Sequence, residues 1–158
     1  MATLEAALLL EIPETIETPS LQLAMTPEDS ERHCREMQAK GYARQELDFC
    51  FHRKPDGRFV GKGGLHTIDW SIPKFEIGYW IRTTSARQGY ATEAARAMAD
   101  FAVASLGARR IEITSDARNI PSRRVAEKCG FTLEGIRRAS RRDNAGELAD
   151  SCMYARIS

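Results

Sequence analysis

Arg87-Gln88-Gly89-Tyr90-Ala91 stands between an apolar, aromatic run, Ile77 to Ile81, and a segment with helical period. In that segment Ala91, Ala94, Ala95, Met98, Phe101 and Ala102 recur at spacings of three and four, one face of a helix. Gly107 then stops it, the usual role of a glycine just past a helix end. A strand, a glycine turn and a helix can hold a phosphate. The first N–H groups of a helix lack intrahelical partners, and the macrodipole adds partial positive charge there. Gly89 has no Cβ to keep a ligand off the backbone, and Arg87 adds a full charge. The alternative is an ordinary strand-to-helix turn. Neither GxxxxGK[ST] nor GxGxxG is present, so Walker and dinucleotide loops are excluded at this turn.

The run Ala86-Arg87-Gln88-Gly89-Tyr90-Ala91 resembles the Gln/Arg-x-x-Gly-x-Gly/Ala signature of the GNAT superfamily of N-acetyltransferases, with Ala86 where a Gln or Arg is expected. Further motifs in the same order resemble its RimJ/RimL branch, which acetylates the N-termini of ribosomal proteins. They are Ile16-Glu17-Thr18-Pro19, Glu76-Ile77-Gly78-Tyr79-Trp80, Gly89 to Ala94, Asn119-Ile120-Pro121-Ser122-Arg123-Arg124-Val125, Glu127-Lys128-Cys129-Gly130-Phe131 and Glu134-Gly135. The resemblance runs from about residue 12 to the end. It implies acetyl-CoA as the donor, with its pyrophosphate on Arg87, Gln88, Gly89, Tyr90, Ala91 and Thr92. Its pantetheine arm would pair with backbone groups of Tyr79, Trp80, Ile81 and Arg82, and Asn119 and Ser122 would lie beside it.

Acetyl transfer to an amine needs a neutral amine, a thioester carbonyl beside it, charge stabilisation at the carbonyl oxygen and a proton for the departing thiolate. Direct attack in a ternary complex requires neither metal nor covalent nucleophile, because positioning supplies much of the acceleration. Glu76 occupies the place where many family members carry an acidic base, acting directly or through water. Strand alternation could instead turn it to solvent or into an ion pair. Many relatives have a tyrosine acid where this chain has Ala126. Ser122 is the substitute that the resemblance suggests; otherwise it only satisfies donors in its helix turn. Asn119 is either a contact of the pantetheine arm or a turn residue. An α-amine of pKa near 7.7–8 is roughly 10% neutral at pH 7 while a lysine is about 0.04% neutral, so an N-terminal α-amine is the easier acceptor.

Other charged residues carry weaker signals. Asp69, Glu46, Glu147 and Asp150 could draw a cationic amine into a groove, or be solvated charges. Arg123, Arg124, Arg137, Arg138, Arg141 and Arg142 make the C-terminal third locally basic. This suits either a charged hairpin or an RNA or CoA 3′-phosphate contact. His33, His52 and His66 lack ligand spacing, and Cys34, Cys50, Cys129 and Cys152 share no metal pattern. No metal is expected, and the thiols read as buried and reduced in a cytoplasmic protein.

The elements that must position these groups follow from period and punctuation. Residues 1–15 form a lead-in, ordered or not within residues 1–11, and residues 20–25 alternate as a first strand. Thr26-Pro27-Glu28-Asp29 caps and opens a helix expected to reach Lys40 and stop at Gly41. Strands follow at Leu47 to Arg53 and Arg58 to Trp70, joined at Lys54-Pro55-Asp56-Gly57. Gly61, Gly63 and Gly64 suggest a bulge in the second, and Gly78 suggests a bulge or close approach in the next. Arg109 to Ser115 is expected parallel to the Glu76 strand, joined to it by the helix. A second helix from Pro121 ends at Gly130, and closing strands run over Phe131 to Arg137 and Leu148 to Ile157 around Asp143-Asn144-Ala145-Gly146. The expectation is one α+β GNAT domain over 1–158. Its mixed central sheet is antiparallel at its ends and has a parallel pair splayed for acyl-CoA, with flanking helices.

The 158 residues suffice for a full core, with 42% hydrophobic and 28% charged residues and a net charge of +1. Nothing global demands nucleic acid or a membrane, and the start lacks a basic region expected of a signal peptide. The expected function is N-acetyl transfer from acetyl-CoA to a primary amine, an N-terminal α-amine such as that of a ribosomal protein first. The rivals are a small-molecule amine acceptor, such as an antibiotic or polyamine, and a non-catalytic acyl-CoA sensor. Either a monomer or a homodimer fits.

Overall fold

The computed structural model describes residues 27–143 and 145–158. The expected strand at 20–25, the lead-in, the Thr26 cap and Asn144 lie outside them. The elements are α1 (Pro27–Tyr42), β1 (Leu47–His52), β2 (Phe59–Asp69), β3 (Lys74–Ile81), α2 (Tyr90–Leu106), β4 (Arg110–Asp116), α3 (Ile120–Lys128), β5 (Thr132–Arg142) and β6 (Leu148–Ile157). Among the described residues, six strands form one sheet in the order β1-β2-β3-β4-β6-β5. Only β3 and β4 are parallel neighbours; the other pairs are antiparallel. This is the mixed α+β sheet expected, with β6 inserted between β4 and β5.

One face of the sheet carries the core. Leu65, Phe75, Ile77, Ile111, Ile113 and Tyr154 alternate inward to meet Ala95, Met98, Ala99 and Ala102 of α2 and Ala126 of α3. Alanines on α2 let the helix approach the sheet closely. Each fully buried large side chain contributes about 1.5–3 kcal/mol. Phe49 meets Phe101 of α2 edge-to-face at 5.8 Å. By the same alternation Lys62, His66, Glu76, Trp80 and Glu112 lie on the opposite face.

Three expectations change. Helix α1 continues through Gly41 to Tyr42 and ends at Arg44, which takes the left-handed conformation at φ 55. Gln45 N–H bonds to Lys40 O and Arg44 N–H to Gly41 O, the two bonds of a Schellman end. Arg44 is held there by Trp70, whose Nε1–H donates to Arg44 O at 2.9 Å and whose ring lies 4.1 Å from the guanidinium. At Gly78 the register with β2 is unbroken, so there is no bulge. Nor is there one across Gly61, Gly63 and Gly64; the irregularities fall between Phe51 and His52 and between His66 and Asp69. Those glycines answer close approach instead: a Cβ at Gly61 would lie 2.3 Å from Trp80 O, too near to fit.

Candidate active site

The parallel pairing of β3 with β4 covers only Lys74↔Arg110, Phe75↔Ile111 and Glu76↔Glu112. Beyond Glu76, β3 stays with β2 while β4 stays with β6. The two central strands therefore part at Glu76. Arg82 N–H donates to Val60 O at 2.9 Å. In an antiparallel ladder successive residues turn their N–H and C=O to alternate sides. The groups of Trp80 and Arg82 therefore face β2, and those of Tyr79 and Ile81 face the gap. This narrows the four expected backbone contributors to two. Across the gap, the Ser115 hydroxyl of β4 is buried with no hydrogen-bond partner among the described residues.

After β3, the turn before α2 is built to leave donors open. Arg87 adopts φ 61, a sparsely populated conformation for a non-glycine residue, and Gly89 adopts φ 87. The first helical bond runs from Glu93 N–H to Gly89 O. Tyr90, Ala91 and Thr92 thus have no intrahelical acceptor, and no side chain caps the helix. A cleft of about 520 Å³ adjoins this end, lined by Gly89, Thr92, Arg96 and Lys128 with Glu93 and Asp100 among its walls. Arg96 is anchored there by donating to Lys128 O at 2.9 Å. Open backbone donors, an orphaned buried hydroxyl and unpaired strand groups fit the phosphates and amide arm of an acyl-CoA.

Helix α3 brings the next groups. Asn119 is its N-cap: Oδ1 accepts from Ser122 N–H at 3.2 Å. Ser122 Oγ lies 3.2 Å from the Tyr79 hydroxyl, which thus spans from β3 to α3. Burial is the main cause that pushes the Tyr79 phenol above its ordinary value, so it keeps its proton at neutral pH. Ala126, one turn after Ser122, is completely buried. The helix is seated by a clamp that the sequence did not reveal. Arg123 donates to Ala117 O and to the Tyr154 hydroxyl, each at 3.1 Å, and that hydroxyl donates to Glu127.

On the opposite face, Glu76 is half-buried and its carboxylate has no hydrogen bond or ion pair with a described residue. Its cross-strand partners are His66 on β2 and Glu112 on β4. Glu112 is instead paired with Arg110 at 2.6 Å. Of the four groove carboxylates expected, three are engaged locally. Asp69 accepts from Ser71, Glu46 pairs with Lys40, and Asp150 accepts from Ala139 N–H at 2.8 Å in an irregular stretch of β5. Glu147 is exposed.

Of the basic set, Arg141 pairs with Asp116 of β4, while the hairpin carboxylates Glu134 and Asp143 pair with Arg110 and Arg118 outside it. His52 bonds Gly57 O at 3.0 Å. Cys129 and Cys152 are buried and Cys50 half-buried, and none of the three forms a disulfide. Among the described residues no group of His, Cys, Asp or Glu could hold a metal, and no helix is long and apolar enough to cross a membrane.

The comparisons with known proteins agree with this architecture. YjcK of Bacillus subtilis, a probable N-acetyltransferase by name, is 33% identical over 114 residues, 72% of this chain and 63% of its own length. YdaF of the same organism carries a provisional ribosomal N-acetyltransferase name. It is 38% identical over 80 residues, 51% of this chain and 44% of its own. The chain thus matches less than two thirds of the length of these relatives. The solved structure of Mycobacterium smegmatis RimJ, in complex with CoA-disulfide, superimposes with a TM-score of 0.78 at 26% identity, covering 84% of this chain and 62% of RimJ. The family model described as the acetyltransferase (GNAT) domain matches residues 4–132. With that match across most of its length, and a sheet that parts at Glu76 ahead of an uncapped helix, the chain belongs to the GNAT acetyltransferase family.

Proposed function

We propose that the protein is an acetyl-CoA-dependent N-acetyltransferase acting on a primary amine, foremost a protein N-terminal α-amine. The observation that carries this reading is the parting of β3 from β4 at Glu76, on the strand that leads into the open N-terminus of α2. The phosphates of the donor bind the N–H groups of Tyr90, Ala91 and Thr92, with Arg87 beside them. The amide arm lies along Tyr79 and Ile81, with the Ser115 hydroxyl as a further partner.

The two faces of the split then take different chemical roles. The amine approaches from the side of Glu76, whose unpaired carboxylate attracts it and can take its proton, directly or through water. Nitrogen bonds to the carbonyl carbon, the C–S bond breaks, and sulfur leaves toward the helix side. There Tyr79 and Ser122 share a hydrogen bond, and the protonated phenol supplies the proton, through Ser122 or directly. Tyr79 thus offers from β3 the hydroxyl that Ala126 does not supply from α3. A peptide α-amine suits this site because a useful fraction is neutral before any base acts. The ribosomal N-acetyltransferase name of YdaF supports a ribosomal protein as the acceptor.

The test is thiol release from acetyl-CoA with peptides bearing free Ala, Ser or Met N-termini, blocked peptides bearing lysine, and amine antibiotics and polyamines. Turnover confined to free N-termini is expected. Turnover only with small amines would replace the acceptor. Tight acetyl-CoA binding without turnover would favour a sensor, and no CoA binding would overturn the whole reading.

A further inference from the structure

His66 sits on the face from which the amine is proposed to approach, directly opposite Glu76 in the β2–β3 register. Its ring leans along β3 past Glu76 and over Gly78: a Cβ built at Gly78 would lie 2.8 Å from His66 Nε2 and 3.3 Å from Cδ2. A side chain at Gly78 would push the ring aside. The other ring nitrogen, Nδ1, lies 3.1 Å from Thr67 Oγ1. Thr67 itself adopts φ 50, a genuine outlier for a β-branched residue, in the irregular stretch between His66 and Asp69. Strain of this kind persists only where the surroundings enforce it, and it gathers at functional positions. The hydroxyl of this residue meets one ring nitrogen while the other lies over the first residues of β3 that have lost their partner on β4.

We propose that His66 is a further catalytic residue of the acetyl transfer, taking the proton of the attacking amine at Nε2, with Thr67 as its positioning residue and Gly78 as the space it occupies. The inference rests on the N-acetyltransferase reading. With Nδ1–H donating to Thr67 Oγ1, Nε2 presents its lone pair to the amine. Glu76 takes the proton that turns the arriving ammonium into a neutral amine; as the N–C bond forms and the C–S bond breaks, the second amine proton passes to Nε2, and the thiolate takes its own proton on the helix side. The imidazolium then returns its proton to water. Imidazole suits this step because its neutral ring offers a donor at one nitrogen and an acceptor lone pair at the other. The charged groups on this face are Glu76 and Lys74 on β3, Glu112 and its partner Arg110 on β4, and the Lys62–Asp48 pair on β2 and β1. Helix α1 packs on β1 with its Lys40–Glu46 pair.

The experiment is the pH profile of kcat with an active amine acceptor, measured for the wild type, His66→Gln, Thr67→Val and Gly78→Ala, alongside acetyl-CoA affinity by calorimetry. His66→Gln is expected to lower kcat at least ~100-fold, the lower range for a lost general base, and to flatten the acid limb of the profile. Acetyl-CoA affinity should stay within about twofold, since a group on the acceptor side does not contact the donor's phosphates. Thr67→Val, which keeps the shape and removes the hydroxyl, and Gly78→Ala, which displaces the ring, should each reduce kcat in the same direction by less. A wild type that turns over while His66→Gln matches it in rate and acid limb would overturn the role of His66 and leave the acetyltransferase reading standing. A wild type inactive with every amine would overturn both.

Discussion

The two sides of strand β3 are built differently. On the helix side, the groups proposed to hold the donor's phosphates come from one short contiguous stretch, Arg87 to Thr92, and most are backbone N–H groups, with Tyr79 and Ile81 along the arm. On the opposite side, Glu76, His66 and Gly78 come from neighbouring strands and meet only because β2 and β3 pair in one register. A one-residue slip in that pairing would carry His66 to the core face. The helix side is thus robust to side-chain identity and sensitive to backbone conformation, and the acceptor side is the reverse. Donor affinity and chemical rate should separate along this division.

The largest expected effect is on rate. Glu76→Gln removes the unpaired carboxylate at the parting of the strands and should lower kcat ~100-fold or more while leaving the acetyl-CoA Kd within about twofold, measured by thiol release and calorimetry. An unchanged kcat would dissolve the division. The converse variant is Gly89→Val. A β-branched residue at φ 87 costs about 1–2 kcal/mol and crowds the open N–H groups. The Kd should rise about tenfold or more, with kcat at saturating donor largely retained.

Tyr79→Phe probes whether the helix side also takes part in the chemistry. A fall in kcat of about tenfold is expected, small because a thiolate leaves more readily than an alkoxide. Since burial raises the phenol above its ordinary 10.0, the deficit should hold across the neutral range and narrow only at strongly alkaline pH. Loss of donor affinity instead would assign Tyr79 to binding alone. The smallest effect belongs to Asp116, at the end of β4. The Arg118 hydrogen bonds hold its carboxyl down to about 2, against 3.8 when unfolded. Its stabilisation is therefore complete above pH 3.8 and lost as pH falls through about 2. Asp116→Asn should cost about 1 kcal/mol in urea unfolding at pH 7, with the difference from wild type shrinking below pH 3.8.

Much of the fold was legible where a pattern is local. The period change at Ala91, the left-handed stops at Gly107 and Gly130, and the alternation of β6 all depend on neighbours in the chain. The expectation for α1 failed because glycine is only one route to a left-handed helix end. Arg44 takes that conformation where Trp70, twenty-six positions away, holds it. Gly78 was recognised as exceptional, but what crowds it is the ring of a residue on another strand. Asp150 looked like a groove carboxylate and proves to fasten Ala139, because β5 departs from regular pairing between Arg137 and Arg141.

The sequence by itself determined the order of elements and the open helix end, since periodicity, glycine conformations and missing caps are short-range properties of a chain. It also placed Glu76 on the central strand and Ser122 in the first turn of its helix. Only the tertiary structure decided that β3 and β4 pair for three residues and then part, that Tyr79 reaches Ser122, and that His66 lies beside Glu76. Those contacts join residues between 10 and 43 positions apart. Strand register and packing against α2 set them, and neither is encoded in any single stretch.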